Sequence, residues 1–186
     1  MRKISMKEIY DTVQYHIDNK MIINVERTFN GDVDFILGFP LKISDNLLLI
    51  NVISDFHDEG YALVRTKDIS DVYSKENNGF YEKICKSENI GSDEVSAIND
   101  ISNMLISLNQ LKSYDGLLSI QCEGQIEKCT FYLGKIINVN EDSISFKDLD
   151  MFGKWDENIN NIPLNEITQI AFGDNYSKMF FKYIEK

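Results

Sequence analysis

The segment Phe35-Ile36-Leu37-Gly38 returns as Phe131-Tyr132-Leu133-Gly134, 96 residues further along the chain. Each copy is a short apolar run that ends in glycine, and each stands inside a longer stretch of strand-like residues. Glycine within a strand is typical of a sharp bend or of a close approach by another backbone. The two stretches therefore predict two long, bent strands, one in each half of the chain.

The similarity extends outward from both segments. At the same offset Ile50 aligns with Phe146, and the run 67–72 aligns with 165–170 at an offset of 98. Each half has the pattern of one helix followed by five short strands. Because the order of elements agrees as well as the residue pattern, an internal repeat is predicted. Chance similarity between two β-rich stretches is the alternative.

The first half begins with a helix signal. Ser5 and Glu8 have the spacing of a capping box, and Ile9 and Val13 follow at helical spacing, so a helix is predicted over residues 5–19. Asparagine and glycine then mark a hairpin turn at 30–32, a polar turn is expected over 55–60, and 77–79 is expected to break the chain. Strands are predicted at 21–29, 33–44, 47–54, 61–66 and 69–73.

The second half repeats this order. Ser92 is a candidate N-cap, and a long apolar stripe from Val95 to Leu111 predicts one helix that ends at Asp115-Gly116. The tail at 176–184 fits either a short helix or a last strand. Strands are predicted at 117–123, 129–139, 143–148, 158–163 and 167–172.

One helix followed by five short, bent antiparallel strands resembles the Sm-like fold, a small open barrel. Gly38 and Gly134, each in a long second strand, carry the resemblance, together with the acidic turns at Asp45 and 141–142. Other small barrels of the SH3 kind have similar spacing. The resemblance implies a mainly β (α+β) chain with two small antiparallel barrels, each preceded by a helix. The predicted units are 1–86 and 90–186.

Membership of the Sm-like family would imply rings in which the fourth strand of one barrel pairs with the fifth of the next, and these rings usually bind RNA. The family's RNA site has an Asp-to-Asn pattern after the second strand, which Asp45 and Asn51 imitate. Lys147 stands where a second Asn51 would align. The family's Arg-Gly pair is replaced by Arg65-Thr66 in one half and by Pro163-Leu164 in the other. The resemblance therefore implies the fold and pairing between barrels more than it implies RNA.

Composition narrows the classes of function. The 186 residues include 30 acidic and 19 basic side chains, for a net charge of −11, with −5 in residues 1–93 and −6 in 94–186. Such an even negative surface disfavours nucleic acid and favours either simple solubility or a basic partner. With 43% hydrophobic residues the chain can form a core, and it contains no run of about 20 apolar residues that could span a membrane.

The cysteines indicate a reducing compartment. Their number is odd, no Cys-x-x-Cys pair occurs, and the first residues contain no apolar signal-peptide core, so a cytoplasmic location is expected. The abundance of Ile, Asn and Lys is typical of an AT-rich bacterial genome. Cys85, Cys122 and Cys129 are interpreted as packed thiols, with a redox switch or half of a metal site between Cys122 and Cys129 as the alternative.

Two polar or aromatic clusters are candidates for function. Residues 54–60 (Ser-Asp-Phe-His-Asp-Glu-Gly) hold carboxylates and a histidine that could ligate a metal, although adjacent residues on one turn rarely converge. His16, the other histidine, is interpreted as a half-buried cap of its own helix. Large aromatics in a turn favour either local packing or partner recognition. The candidate partner contacts are Phe152, Trp155, Asp156, Phe56 and Asp58.

These observations favour a function without catalysis and without a cofactor. No nucleophile motif, phosphate-binding loop or His-Glu-x-x-His sequence is present. The leading hypothesis is a protein-binding module of the bacterial cytosol, for example an immunity-type inhibitor of a basic partner, as a monomer or a dimer. A divergent Sm-like RNA-binding protein is the alternative, and a metal-dependent hydrolase that uses residues 55–59 is the third class.

Overall fold

The computed structural model describes residues 4–91, 95–124 and 130–184. These ranges contain ten strands and four helices, and the capping box is confirmed because Ser5 Oγ accepts the amide hydrogen of Glu8. The helices are α1 (Met6–Asn19), α2 (Asn78–Ser87), α3 (Met104–Leu111) and α4 (Asn175–Tyr183). The strands are β1 (Ile23–Phe29), β2 (Asp32–Ile43), β3 (Leu47–Ser54), β4 (His57–Arg65), β5 (Ile69–Tyr73), β6 (Leu118–Cys122), β7 (Thr130–Val139), β8 (Ser143–Asp148), β9 (Asn160–Pro163) and β10 (Gln169–Phe172).

All described strands belong to one open antiparallel sheet in the order β5-β1-β2-β3-β4-β10-β6-β7-β8-β9. The mainly β character of the chain is therefore confirmed. Within the sheet, strands one to five of each half follow the same order. The halves meet where β4 pairs with β10, with Leu63 opposite Ile170 and Tyr61 opposite Phe172. Because this pairing uses the free edge of β4, the halves share one sheet, and two separate barrels are not seen.

Gly38 and Gly134 lie in β2 and β7, as predicted. A Cβ atom at Gly38 would overlap the carbonyl oxygen of Asn51 on β3, and one at Gly134 would overlap that of Lys147 on β8. The register of each strand pair shifts two to four residues further on, between Pro40 and Lys42 and between residues 136 and 138. Glycine therefore allows a close approach of backbones beside a bulge, which bends each long strand.

The two halves have separate apolar cores that share strand β3. Leu48 and Ile50 point into the first core, which α1 covers, whereas Leu47 and Leu49 point into the second. The second core therefore extends from its own five strands and α3 onto the outer face of the first half. Successive side chains of a strand point to opposite faces, and both faces of β3 are buried, so the sequence of β3 is continuously apolar.

A buried ion pair also joins the halves. Arg27 on β1 is only 1% exposed, and its Nη1 lies 2.9 Å from Glu123 Oε2, just after β6. Its Nε donates to Asp34 on the neighbouring strand at 3.1 Å. Glu123 also accepts a hydrogen bond from the Thr168 hydroxyl at 2.8 Å. The guanidinium is thus paired on both sides, as a buried charge requires.

The long helix predicted from Ser92 is confirmed only at 104–111 and is wrong at 95–103, and Ser92 itself lies outside the described residues. Residues 95–103 instead cross the first half. Lys42 Nζ donates to the carbonyl of Asn99 at 2.8 Å, and Ser44 Oγ donates to that of Ile101 at 2.8 Å. These bonds take carbonyls that a helix would use, and Asn103 caps α3 at its start.

The structure corrects two smaller predictions and decides between the two forms predicted for the tail. The break expected at 77–79 is instead the start of α2, whose residues Tyr81 and Cys85 pack on the sheet. The turn expected over 55–60 is confined to Asp55 and Phe56, both with positive φ, as a two-residue hairpin turn requires. Strand β4 therefore begins at His57. The tail is a helix, one of the two forms predicted.

Candidate partner-binding surface

The turn after β8 is held rigid by one carboxylate. Asp150 Oδ1 accepts the backbone N–H of Phe152 at 2.8 Å and that of Lys154 at 2.9 Å. The backbones of Asp150 and Lys154 bond again at 2.8 Å, and Gly153 adopts the positive φ that closes the turn. An isolated bridge between Leu149 and Trp155 fixes its base. The turn is therefore ordered without help from a partner.

The same turn presents two large apolar side chains to solvent. Met151 and Phe152 are each 79% exposed, the highest values among the exposed large hydrophobic residues of the described ranges. Trp155 differs, because it is half-buried against the apolar cluster beneath α4. The turn thus divides its aromatics between one that anchors it to the protein and one that is free to meet another molecule.

Helix α4 lies beside this turn. Asp174 caps its first turn by accepting the amide hydrogen of Ser177 at 2.7 Å, and Phe180, Phe181 and Ile184 pack on the same cluster as Trp155. A Cβ at Gly153 would lie 3.9 Å from the Ile184 side chain, so the turn and the helix end are neighbours.

The outer face of α4 is apolar as well. Tyr176, Met179 and Tyr183 are exposed at a spacing of three and four residues, which places them on one face of the helix. We call the turn residues Met151, Phe152 and Trp155, together with Met179 and Tyr183 of α4, the turn–helix surface.

Acidic groups surround the turn. Residues 148–157 contain four carboxylates and one lysine, Lys154. Burial raises the pKa of Asp148, and the nearby charge of Asp156 raises it further, although the backbone N–H groups of Leu133 and Leu149 lower it. Asp156 Oδ1 accepts the amide hydrogen of Asn158 at 2.9 Å. Carboxylates therefore border the apolar centre on the side of the turn, whereas α4 contributes Lys178 and Lys182.

The other two predicted contacts lie in the first half and have partners of their own. Phe56 stacks on Tyr81 of α2 with ring centroids 4.4 Å apart and an interplanar angle of 24°. Asp58 Oδ1 accepts from Asn51 Nδ2 at 2.9 Å and from the amide of Gly60 at 2.8 Å. The structure thus brings Trp155 and Asp156 to the turn of Phe152 but does not place Phe56 or Asp58 there.

The other candidate groups take part in packing and hydrogen bonding within the chain. No cluster of three metal-ligating side chains occurs in the described ranges, and His57 Nδ1 lies 2.9 Å from the carbonyl oxygen of Asp55. His16 is buried and lies between the Thr12 carbonyl and the Ser74 hydroxyl, each at 2.7 Å. Cys85 and Cys122 are buried, and burial raises the pKa of the Cys85 thiol. Cys129 lies outside the described residues.

The residues that the predicted Sm-like resemblance assigns to an RNA site form hydrogen bonds within the chain. Arg65 pairs with Asp68 through Nε and donates from Nη1 to the carbonyl of Asn165 at 2.7 Å. Asn51 Nδ2 donates to Asp58 Oδ1 at 2.9 Å and to the carbonyl of Gly60 at 2.9 Å. Because these donors already have partners, contact with a phosphate or a base would first require breaking these bonds.

Met151, Met179 and Tyr183 were not found from the sequence. Met151 had a usable signal, since it stands beside Phe152 in a turn, whereas Tyr183 and Met179 depend on the tail being a helix.

In the part of the chain that is described, no helix is long and apolar enough to cross a membrane. No family model, curated protein or solved structure matches the chain.

Proposed function

We propose that this chain is a non-catalytic protein-binding module that docks on a basic partner through the turn–helix surface. The observation that carries the proposal is the exposure of Met151 and Phe152, 79% each, on a turn that the Asp150 carboxylate holds in shape. Large apolar side chains on an ordered turn lose little conformational entropy when they bind, and aromatic anchors of this kind dominate binding energy at interfaces.

Charge supports the choice of partner. The acidic border of the turn and the net charge of −11 attract positively charged proteins over long range and accelerate their association. An immunity-type inhibitor that masks a basic toxin domain is one concrete form of this function. It requires no cofactor and no catalytic group, and it uses the acidic border to steer the toxin onto the apolar centre.

The proposal includes the fold of the two halves. We propose that each is a divergent Sm-like unit, preceded by its own helix, with units at 1–86 and 90–186. The shared strand order and the pairing of a fourth strand with a fifth at β4–β10 support this assignment. The engaged side chains of Arg65 and Asn51 give less support to RNA as the ligand of the first unit.

The test measures binding to the products of the neighbouring genes by isothermal titration calorimetry. We expect one basic partner to bind the full chain, and Phe152→Asp to weaken that binding at least tenfold because it places a charge in the apolar centre. Phe35→Asp is the matched control, since Phe35 is exposed on β2 outside the turn–helix surface. Equal loss in both variants, or no binding partner, would contradict the proposal, and a gel shift with RNA at low salt would favour the alternative.

A further inference from the structure

The two halves place a phenylalanine at corresponding positions. Phe56 and Phe152 are 96 residues apart, and each lies in the connection that follows the third strand of its half. Beneath them Ile53 and Leu149, also 96 apart, are both buried. Ile53 belongs to the cluster under α2, and Leu149 belongs to the cluster under α4. Each phenylalanine therefore stands beside the helix that packs on the outside of its own half.

The first half shows what covers such a ring. Tyr81 projects from α2 and stacks on Phe56 at 4.4 Å, so that Phe56 is half-buried. Within the described ranges no aromatic ring stacks on Phe152. On α4, Tyr176 pairs with Phe180, and Phe181 lies under the Lys135 ammonium. At the offset of 98 that holds from residue 67 onward, the position of Tyr81 is taken by Met179, which has no ring to offer.

We infer that the partner supplies the missing ring, so that a tyrosine or other aromatic side chain stacks on Phe152 as Tyr81 stacks on Phe56. This inference rests on the proposed function and specifies the chemistry of its partner. The four carboxylates of residues 148–157 add a second requirement, because a ring that approaches this border is favoured when lysine or arginine flanks it. The recognised element is thus an aromatic residue next to a basic one.

The test uses the full chain and a defined probe, the peptide acetyl-Arg-Tyr-Arg-Tyr-Arg-amide, in a titration followed by amide chemical shifts. We expect the largest shifts at residues 150–155 and binding in the millimolar range. The peptide with leucine in place of tyrosine is expected to bind about 3- to 10-fold more weakly, because stacking adds to the burial of area. The peptide with glutamate in place of arginine is expected not to bind.

Variants of the protein show which residue causes the preference for the tyrosine peptide over the leucine peptide. Phe152→Leu is expected to remove the preference for tyrosine over leucine in the peptide, Phe152→Trp to keep it, and Phe35→Leu to leave it unchanged. Equal affinity of the tyrosine and leucine peptides, or shifts that lie mainly outside residues 150–155, would overturn the inference. If a neighbouring-gene product binds through Phe152 but keeps its affinity after its own contacting aromatics are changed to leucine, the inference fails while the proposed function stands.

Discussion

At the scale of single residues, two glycines determine how closely the long strands approach their neighbours. A side chain at Gly38 or Gly134 would meet the carbonyl oxygen of the opposite strand, and backbone cannot move aside as a flexible side chain can. Neither glycine has a positive φ, so its role is lack of volume and not an unusual backbone conformation. This explains why both runs end in glycine, and it makes the two positions intolerant of even one methyl group.

We expect Gly134→Ala to destabilise the protein by about 3 kcal/mol or more, because the added methyl group forces β7 away from β8. Urea unfolding followed by circular dichroism measures the change in the free energy of unfolding. Gly79→Ala is the matched control. Nothing lies within 4 Å of a Cβ at Gly79 in α2, and alanine favours a helix by up to about 1 kcal/mol over glycine. Similar stability of the two variants would show that β7 and β8 do not approach as described.

Asp148 links the stability of the second half to pH. Burial holds its pKa above the ordinary value, so the folded state binds a proton more readily than the unfolded state does. Stability therefore falls as the pH rises from the unfolded pKa of about 3.9 through the raised value. Asp148→Asn keeps an oxygen for the Leu133 amide but carries no charge.

We expect Asp148→Asn to be more stable than the wild type at pH 7 and to lose this advantage as the pH falls below about 4. The measurement is the free energy of urea unfolding at several pH values between 3.5 and 7. Asp32→Asn, at an exposed strand end, changes the net charge equally and serves as the control. An advantage that stays constant over this range, or that the control shares, would show that Asp148 is not destabilised by its surroundings.

At the scale of elements, most strands follow from local sequence because their apolar residues alternate or form short runs between turn residues. The error at 95–103 has a physical cause. Val95, Ile98 and Ile101 fit a helical period, but Lys42 and Ser44 are distant in sequence and bind the carbonyl groups of this segment. Tertiary hydrogen bonds thus override a local pattern. The missed helix α2 had a weaker signal, since Tyr81 and Cys85 share a helical face after three turn-forming residues.

The candidate site was predictable only in part. An aromatic pair in a turn drew notice to Phe152 and Trp155, yet only the packing of α4 shows that Trp155 anchors the turn while Phe152 is exposed. The sequence also grouped Phe56 with Phe152. The stack with Tyr81 separates them, and it depends on a helix that was not foreseen.

The ion pair between Arg27 and Glu123, which joins the two halves, can be tested by substituting Arg27. We expect Arg27→Met to cost about 3 kcal/mol, because it leaves Glu123 partly buried without its cation. Double-mutant cycles with Glu123→Gln and Asp34→Asn separate the two pairs. The coupling with Glu123 is expected to be larger, since Glu123 is 15% exposed and Asp34 is 44% exposed. A larger coupling with Asp34 would mean that the ion pair serves the β1–β2 hairpin and not the contact between halves.

At the scale of the whole molecule, the interior joint of the sheet and its two ends differ in chemistry. The joint between β4 and β10 places Leu63 beside Ile170 and Tyr61 beside Phe172, and it buries them in the second core. At one end β9 carries Asn160, Asn161 and Pro163, and at the other β5 carries Ser70 and Asp71. Polar residues and proline at an edge oppose pairing with another strand. Proline has no backbone N–H to donate, and an asparagine side-chain amide that becomes buried needs a hydrogen-bond partner.

We therefore expect the chain to be a monomer in solution, although β4, the fourth strand of one half, pairs with β10, the fifth strand of the other, at its inner joint. Size-exclusion chromatography with light scattering should give the mass of one chain at micromolar concentration. A variant with Asn161→Val and Pro163→Val removes the polar block from β9 and is expected to self-associate, whereas Asn30→Ser in the β1–β2 turn should not. A ring-sized mass for the unmodified chain would show that β5 and β9 pair despite these residues, and it would strengthen the RNA-binding alternative.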